Sequence, residues 1–256
     1  MNRFTWTDDL ALQVAECWRA LGSRARPYED GHWEGLDLDP LPQEEVHTLG
    51  YYSQLGQDVL LDRCLFDRRE HGVFVDVGAH DGLSLSNSAA LERERAWSGL
   101  LIEPNPDVFA VLKSQRRSTA LNLALGAERG QAEFTVLTGY SQMLSGLTLN
   151  YVDEHRARIE RELREHGGET RSIAVRVAPL QEILEEHGID HVDVLMIDTE
   201  GSELSVLAGL DLRKTSVDVI LVEENYGGGP VQQLLMEQEY LKRIRIGWDS
   251  LYFWCG

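Results

Sequence analysis

The chain is short of positive charge: 24 lysines and arginines stand against 43 acids, a formal net charge of −19. A field of that sign repels phosphate backbones and anionic membrane surfaces, which disfavours a nucleic-acid substrate or a membrane partner. Cysteine is scarce. Cys17, Cys64 and Cys255 are far apart and odd in number, with neither metal-ligand spacing nor the paired framework of a small secreted domain. No run of roughly 18 apolar residues occurs, so no membrane-spanning helix is expected. The amino terminus lacks the basic-then-apolar pattern of a signal peptide, which makes the cytoplasm the expected compartment. Internal repeats, low-complexity segments and histidine clusters are also missing.

What is present is an ordered set of apolar runs that end on acids. At 256 residues and 43% hydrophobic content, the chain can bury the core of one large α/β domain with an appendage. Val73–Val77 is short, apolar and β-branched, as a strand buried on both faces of a parallel sheet should be. It breaks at Gly78 and Gly82, and Leu83–Leu91 then reads as a helix. Such a turn lets a ligand approach the backbone at the carboxyl edge of an open sheet. The spacing is Gly-x-x-x-Gly and not Gly-x-Gly-x-x-Gly, so a dinucleotide pyrophosphate cradle is not indicated. Asp76, inside the strand, suits a cationic or hydroxyl-rich ligand. A second strand, within Gly99–Pro106, ends on Glu103, where a carboxylate can accept both hydroxyls of a ribose. Val192–Ile197 runs into Asp198 and Glu200, and Val217–Asn225 is another buried strand ending on acids.

Together these segments resemble the motifs of S-adenosylmethionine-dependent methyltransferases of the FkbM family. The V-D-V-G-A-x-x-G turn, I-E-P strand end and I-D-x-E-G-x-E segment occur in order, after a matching Tyr52-Ser-Gln-Leu-Gly-Gln-Asp58. The likeness spans roughly residues 51 to 254. It implies a doubly wound α/β fold whose mostly parallel seven-stranded sheet is closed by an antiparallel hairpin. It also implies S-adenosylmethionine as cofactor and O-methylation of a small-molecule acceptor: a sugar, a polyketide or a peptide natural product. N-methylation, a nicotinamide-dependent oxidoreductase and a non-catalytic binding protein are the rival readings. The missing third glycine counts against the second, and the intact acids against the third. Nothing in the sequence sets the oligomeric state.

On this reading Gly78, Ala79, His80 and Gly82 take the amino acid portion of the cofactor, with N–H groups at the helix start for its carboxylate. Asp76 favours its positive end and Glu103 its diol. Gln54 and Gln57 could reach the cofactor from just before the first strand, against the alternative that Ser53 and Asp58 merely cap helix ends. In the methyltransferase fold the adenine lies beside the third strand, Thr119–Ala124, which makes Leu123 and Ala124 candidates by position. An aliphatic hydroxyl must lose its proton as it attacks. Asp198, Glu200, Glu224 and His80 are the candidate bases, and Asp198 is best placed, ending the strand beside the first. Asp198 with Glu224 could instead hold a divalent cation, since hard cations prefer oxygen; without a histidine cluster, no metal is expected. The family commonly carries Leu-Asp where this chain has Leu180-Gln181, which weakens any catalytic role for that turn.

The remainder is less patterned. Residues 1–50 form a leader in which Asp8 and Asp9 open a helix through Leu21. Residues 22–50, with Gly31, Gly35, Pro40 and Pro42 among acids, read as loop. The leader is expected to cap the pocket, meet a subunit or cover a sheet edge. Residues 138–170 hold a polar loop and a densely charged helix from about Asn150 to Glu165. Its thin apolar stripe suits a solvated face or a moving lid. Tyr226 and Gly227–Gly229 form the loop after Val217–Asn225. Arg243–Ile246 and Leu251–Trp254 read as a hairpin around Gly247–Asp249.

Overall fold

The computed structural model describes residues 4–29, 34–225 and 227–255; Gly31 and Tyr226, assigned above to loops, lie outside them. The leader begins with helix α1 (Asp8–Ala20), started by Thr7, whose hydroxyl accepts from the Leu10 N–H at 3.1 Å. Strands β1 (Ala25–Glu29) and β2 (Glu34–Leu38) and helix α2 (Gln43–Thr48) follow. Helix α3 (Gln57–Val59) continues as a π-helix, Leu60–Leu65, before β3 (Val73–Val77). Next come α4 (Ala89–Arg95), β4 (Ser98–Ile102), α5 (Pro106–Gln115) and β5 (Thr119–Leu121). Strands β6 (Ala124–Leu125), β7 (Gly130–Leu137), β8 (Gly146–Leu147) and β9 (Thr170–Ala178) are interrupted by α6 (Asp153–His166). The last part alternates α7 (Leu180–Glu186), β10 (His191–Ile197), α8 (Glu203–Ala208), β11 (Ser216–Glu223) and α9 (Gly229–Glu237), then β12 (Tyr240–Ile246) and β13 (Asp249–Trp254).

The main sheet has nine strands where seven were expected, in the order β1-β2-β12-β13-β11-β10-β3-β4-β5. The two additions, β1 and β2, come from leader residues read above as loop. Strand β2 pairs parallel with β12, so the leader covers a sheet edge. The block β11-β10-β3-β4-β5 is parallel throughout, and β13 joins it antiparallel. Strand β10 shows why so apolar a run belongs at the centre. Val194 and Met196 face a core with Trp18 and Leu91, whereas Leu195 and Ile197 face one with Leu184, Leu207 and Leu235. Helices therefore cover both faces, and both sets of side chains leave water.

Three other expectations are corrected. The Thr119–Ala124 strand is two: β5 ends the main sheet, and β6 belongs to a second sheet, β6-β9-β7-β8. The helix expected over Leu83–Leu91 begins only at Ala89, leaving residues 82–88 irregular. Cys17 and Cys64 are disulfide-bonded, with Cα atoms 5.6 Å apart, stapling α1 to the π-helix; Cys255 remains a free thiol. Spacing could not pair them, because the bridge depends on how the leader packs. Such bonds persist in oxidising surroundings, which the cytoplasmic expectation did not anticipate. No helix among the described residues is long and apolar enough to cross a membrane.

Candidate functional site

The carboxyl ends of β3, β4, β10 and β11 open into a cavity of about 420 Å³. That is the size of a small-molecule site. Gly78 allows it: φ is +90°, and a Cβ there would collide with the Asp198 carbonyl, so only glycine lets β3 turn beside β10. Past the turn, His80 adopts φ +48° and its N–H donates to Glu103 Oε2 at 3.0 Å. Glu103 Oε1 accepts from the Asn105 N–H at 2.7 Å. Burial pushes the Glu103 carboxyl up to about 7, against the pull of those amides. Asp76 is likewise raised by burial, opposed by a 2.5 Å bond from Ser88 Oγ and by the Arg116 charge. Neither ring nitrogen of His80 has a hydrogen-bond partner among the described residues, and Nδ1 lies 3.7 Å from Asp81. Burial opposes a charge on that ring, but Asp81 and Glu103 outweigh it and the pKa rises.

Further acids line the same cavity. Carboxylate oxygens of Asp198, Glu200 and Glu223 lie within 4.8 Å of one another, and Asp249 lines the cavity with them. Asp198 is the most exposed of the four, and it lines the cavity with them. Burial raises all four carboxyls, and the Asp198 charge raises the other three further; Asp249 is pushed up to about 8. Acids this close cannot all ionise, so the cluster retains protons near neutrality. An oxygen set of this kind is also what a hard divalent cation takes. Glu200 sits at φ +56°, in a turn held by Glu203 Oε1, which accepts the Thr199 and Gly201 N–H groups at 3.0 Å.

A family model described as the methyltransferase FkbM domain matches residues 76–245, which includes all of these acids except Asp249. The chain belongs to the FkbM methyltransferase family. It is also similar to methyltransferase sdnD of Sordaria araneosa, 28% identical over 199 residues that cover 65% of this chain and 74% of that protein. The family and this relative make the chain a methyltransferase.

In this FkbM-family methyltransferase the cavity gathers most of the sequence candidates: Gln54, Gln57, Asp76, Gly78, Ala79, His80, Glu103, Ala124, Asp198 and Glu200. Gln57 is already engaged, its Nε2 donating to Asp249 at 2.5 Å and its Oε1 accepting from the Leu55 N–H at 2.8 Å. It therefore braces the acid cluster. Asp58 is buried outside the cavity, where it accepts from the Tyr52, Ser53 and Val59 amides; it lies within α3, whose start at Gly56 has no side-chain cap.

Three candidates do not line the cavity. Leu123 is buried in the core beneath the sheet. Gly82 lies against Leu112 and Arg116, and its φ of +84° serves that packing. Glu224 points away and accepts from Lys242 Nζ and Ser250 Oγ, both at 2.6 Å, and from the Tyr252 hydroxyl. Its neighbour Glu223 takes the cavity position, facing Asp249 across the β11–β13 ladder. Sequence reasoning missed both. The signal for Glu223 was the alternation of side chains along β11, which sends adjacent acids to opposite faces. Asp249 carried no local signal, since only the pairing of β13 returns it to the site.

Proposed function

We propose that this methyltransferase uses S-adenosylmethionine and methylates a hydroxyl of a small metabolite: a sugar, a polyketide or a peptide natural product. The observation that carries the reading is that one cavity is lined both by Asp76 and Glu103 and by the Asp198, Glu200 and Glu223 cluster. The Asp76 and Glu103 carboxyls suit the cofactor, because Glu103 accepts one turn amide per oxygen and each oxygen keeps a lone pair for a diol. Asp76 has one oxygen committed to Ser88 and the other without a donor among the described residues, which fits a cofactor ammonium. Bound there, S-adenosylmethionine would supply an electrophilic methyl group whose leaving group departs as a neutral thioether. Asp198, in the acid cluster, takes the acceptor's proton as the new oxygen–carbon bond forms. Glu223, whose carboxyl is raised by burial and by the Asp198 charge, lies within reach to steady Asp198 in its ionised form.

The test is direct binding. S-adenosylmethionine and S-adenosylhomocysteine should each give heat in calorimetry and raise the melting temperature by mass action. Nicotinamide cofactors should do neither. No heat from either sulfur compound at millimolar concentration ends the cofactor reading. Acceptors are then found by screening hydroxyl-bearing metabolites for the mass of one added methyl group.

Residues 138–170 supply the movable wall. Gln142, Met143, Ser145, Leu147 and Arg158 line the cavity from this segment, and α6 buries only His155 and Ile159. A helix gripped by so little apolar surface opens readily. Amides of Asp153–His166 are expected to exchange rapidly in the free protein and slowly with cofactor and acceptor present. Equal exchange in both states would leave α6 a solvated outer helix.

A further inference from the structure

Behind the cavity wall, Arg116 is a buried cation with a side chain wholly out of water. Its Nε donates to Glu92 Oε2 at 2.8 Å. Its other donors go to the irregular residues 82–88: Nη1 to the Gly82 carbonyl at 3.0 Å and to Ser86 Oγ at 3.4 Å, and Nη2 to Ser88 Oγ at 3.0 Å. A guanidinium can only donate. Ser88 Oγ therefore accepts from Arg116, and its single hydrogen is directed onto Asp76 Oδ2, 2.5 Å away. Buried ion pairs add little stability over an apolar pair of the same shape, whereas they do fix geometry. Here the fixed geometry is the segment that replaces the expected helix start, and it includes cavity-lining Ser84, Leu85, Ser86 and Asn87. Gly82 belongs to the same device, because a Cβ at that position would lie 2.7 Å from Arg116 Cγ.

We infer that Arg116 is a positioning residue for the cofactor: acting through Ser88, it turns the Asp76 carboxylate so that its free oxygen faces the cavity. The inference rests on the cofactor reading above and adds residues that never touch the ligand. Ser88→Ala is the decisive variant, because it removes the relay while leaving Arg116, Glu92 and the core in place. Calorimetry with S-adenosylhomocysteine should show roughly tenfold weaker binding in Ser88→Ala, the loss of one charge-assisted bond's orientation. Arg116→Lys, which keeps the charge but not the fork, should weaken binding similarly. In an Asp76→Ala background, Ser88→Ala should have no further effect, since relay and target are one unit. A purely structural role would lower the melting temperature and add its full loss in that background. Wild-type affinity in Ser88→Ala, or independent losses in the double variant, overturns the inference while leaving the cofactor reading intact. Absence of binding by the wild-type protein defeats both.

Discussion

Asp198→Asn is expected to slow methyl transfer about 10²–10⁴-fold at saturating cofactor, the usual contribution of a positioned base. Asparagine keeps the shape and hydrogen-bonding reach of the side chain and loses only its basicity. Cofactor affinity should change far less, because on this reading Asp76 and Glu103 hold the cofactor and Asp198 acts on the acceptor. The pH profile carries the same information. Burial is the main cause that raises the Asp198 pKa, with Glu203 and Asp76 adding to it and the Glu223 hydrogen bond opposing. A base acts in its ionised form, so the wild-type rate should climb with pH through a midpoint above the ordinary carboxylate range. That limb should vanish in the variant. A wild-type single-turnover rate in Asp198→Asn removes the base role. Weakened binding with turnover kept would assign the residue to the cofactor instead. Loss of wild-type activity on dialysis against a chelator, restored by magnesium, would make Asp198, Glu200 and Glu223 metal ligands.

Glu103→Ala should weaken S-adenosylhomocysteine binding roughly ten- to a hundredfold, the loss of one or two charge-assisted hydrogen bonds. The fold should survive, since the residue stands past the end of β4 and outside the core clusters. The wild-type protein should also bind more weakly at low pH. Its Glu103 carboxyl titrates near 7, so the ionised form that accepts a diol prevails above that value and is lost as pH falls through it. The stability sign is opposite: a carboxyl raised by burial favours folding below its unfolded value, and that gain disappears as pH rises through the folded one. At pH 6 affinity should have fallen about tenfold from its alkaline plateau, following the ionised fraction. In Glu103→Ala this particular dependence should be gone. An unchanged dissociation constant in the variant takes Glu103 out of the site.

The sequence by itself determined the four acid-ended strands and the order in which they carry Asp76, Glu103, Asp198 and the Glu223–Glu224 pair. Those are local properties: a short apolar, β-branched run is a strand wherever two layers of helices cover it. The tertiary structure alone decided which acid of a pair enters the cavity. Glu223 faces the site and Glu224 turns to Lys242 because alternation and register against β13 fix side-chain direction. Asp249 and Gln57, 192 residues apart, meet only because the closing hairpin folds back onto the sheet. Residues 82–88 are irregular despite their apolar spacing. Ser86 accepts from the Ser88 and Ala89 amides, Asp81 from those of Leu83 and Ser84, and Arg116 arrives from beyond α5. Serine and aspartate side chains that compete for the backbone decide against helix when a distant cation also holds them. The Cys17–Cys64 bridge and the two leader strands are of the same kind, since each needs a partner that chain order does not reveal.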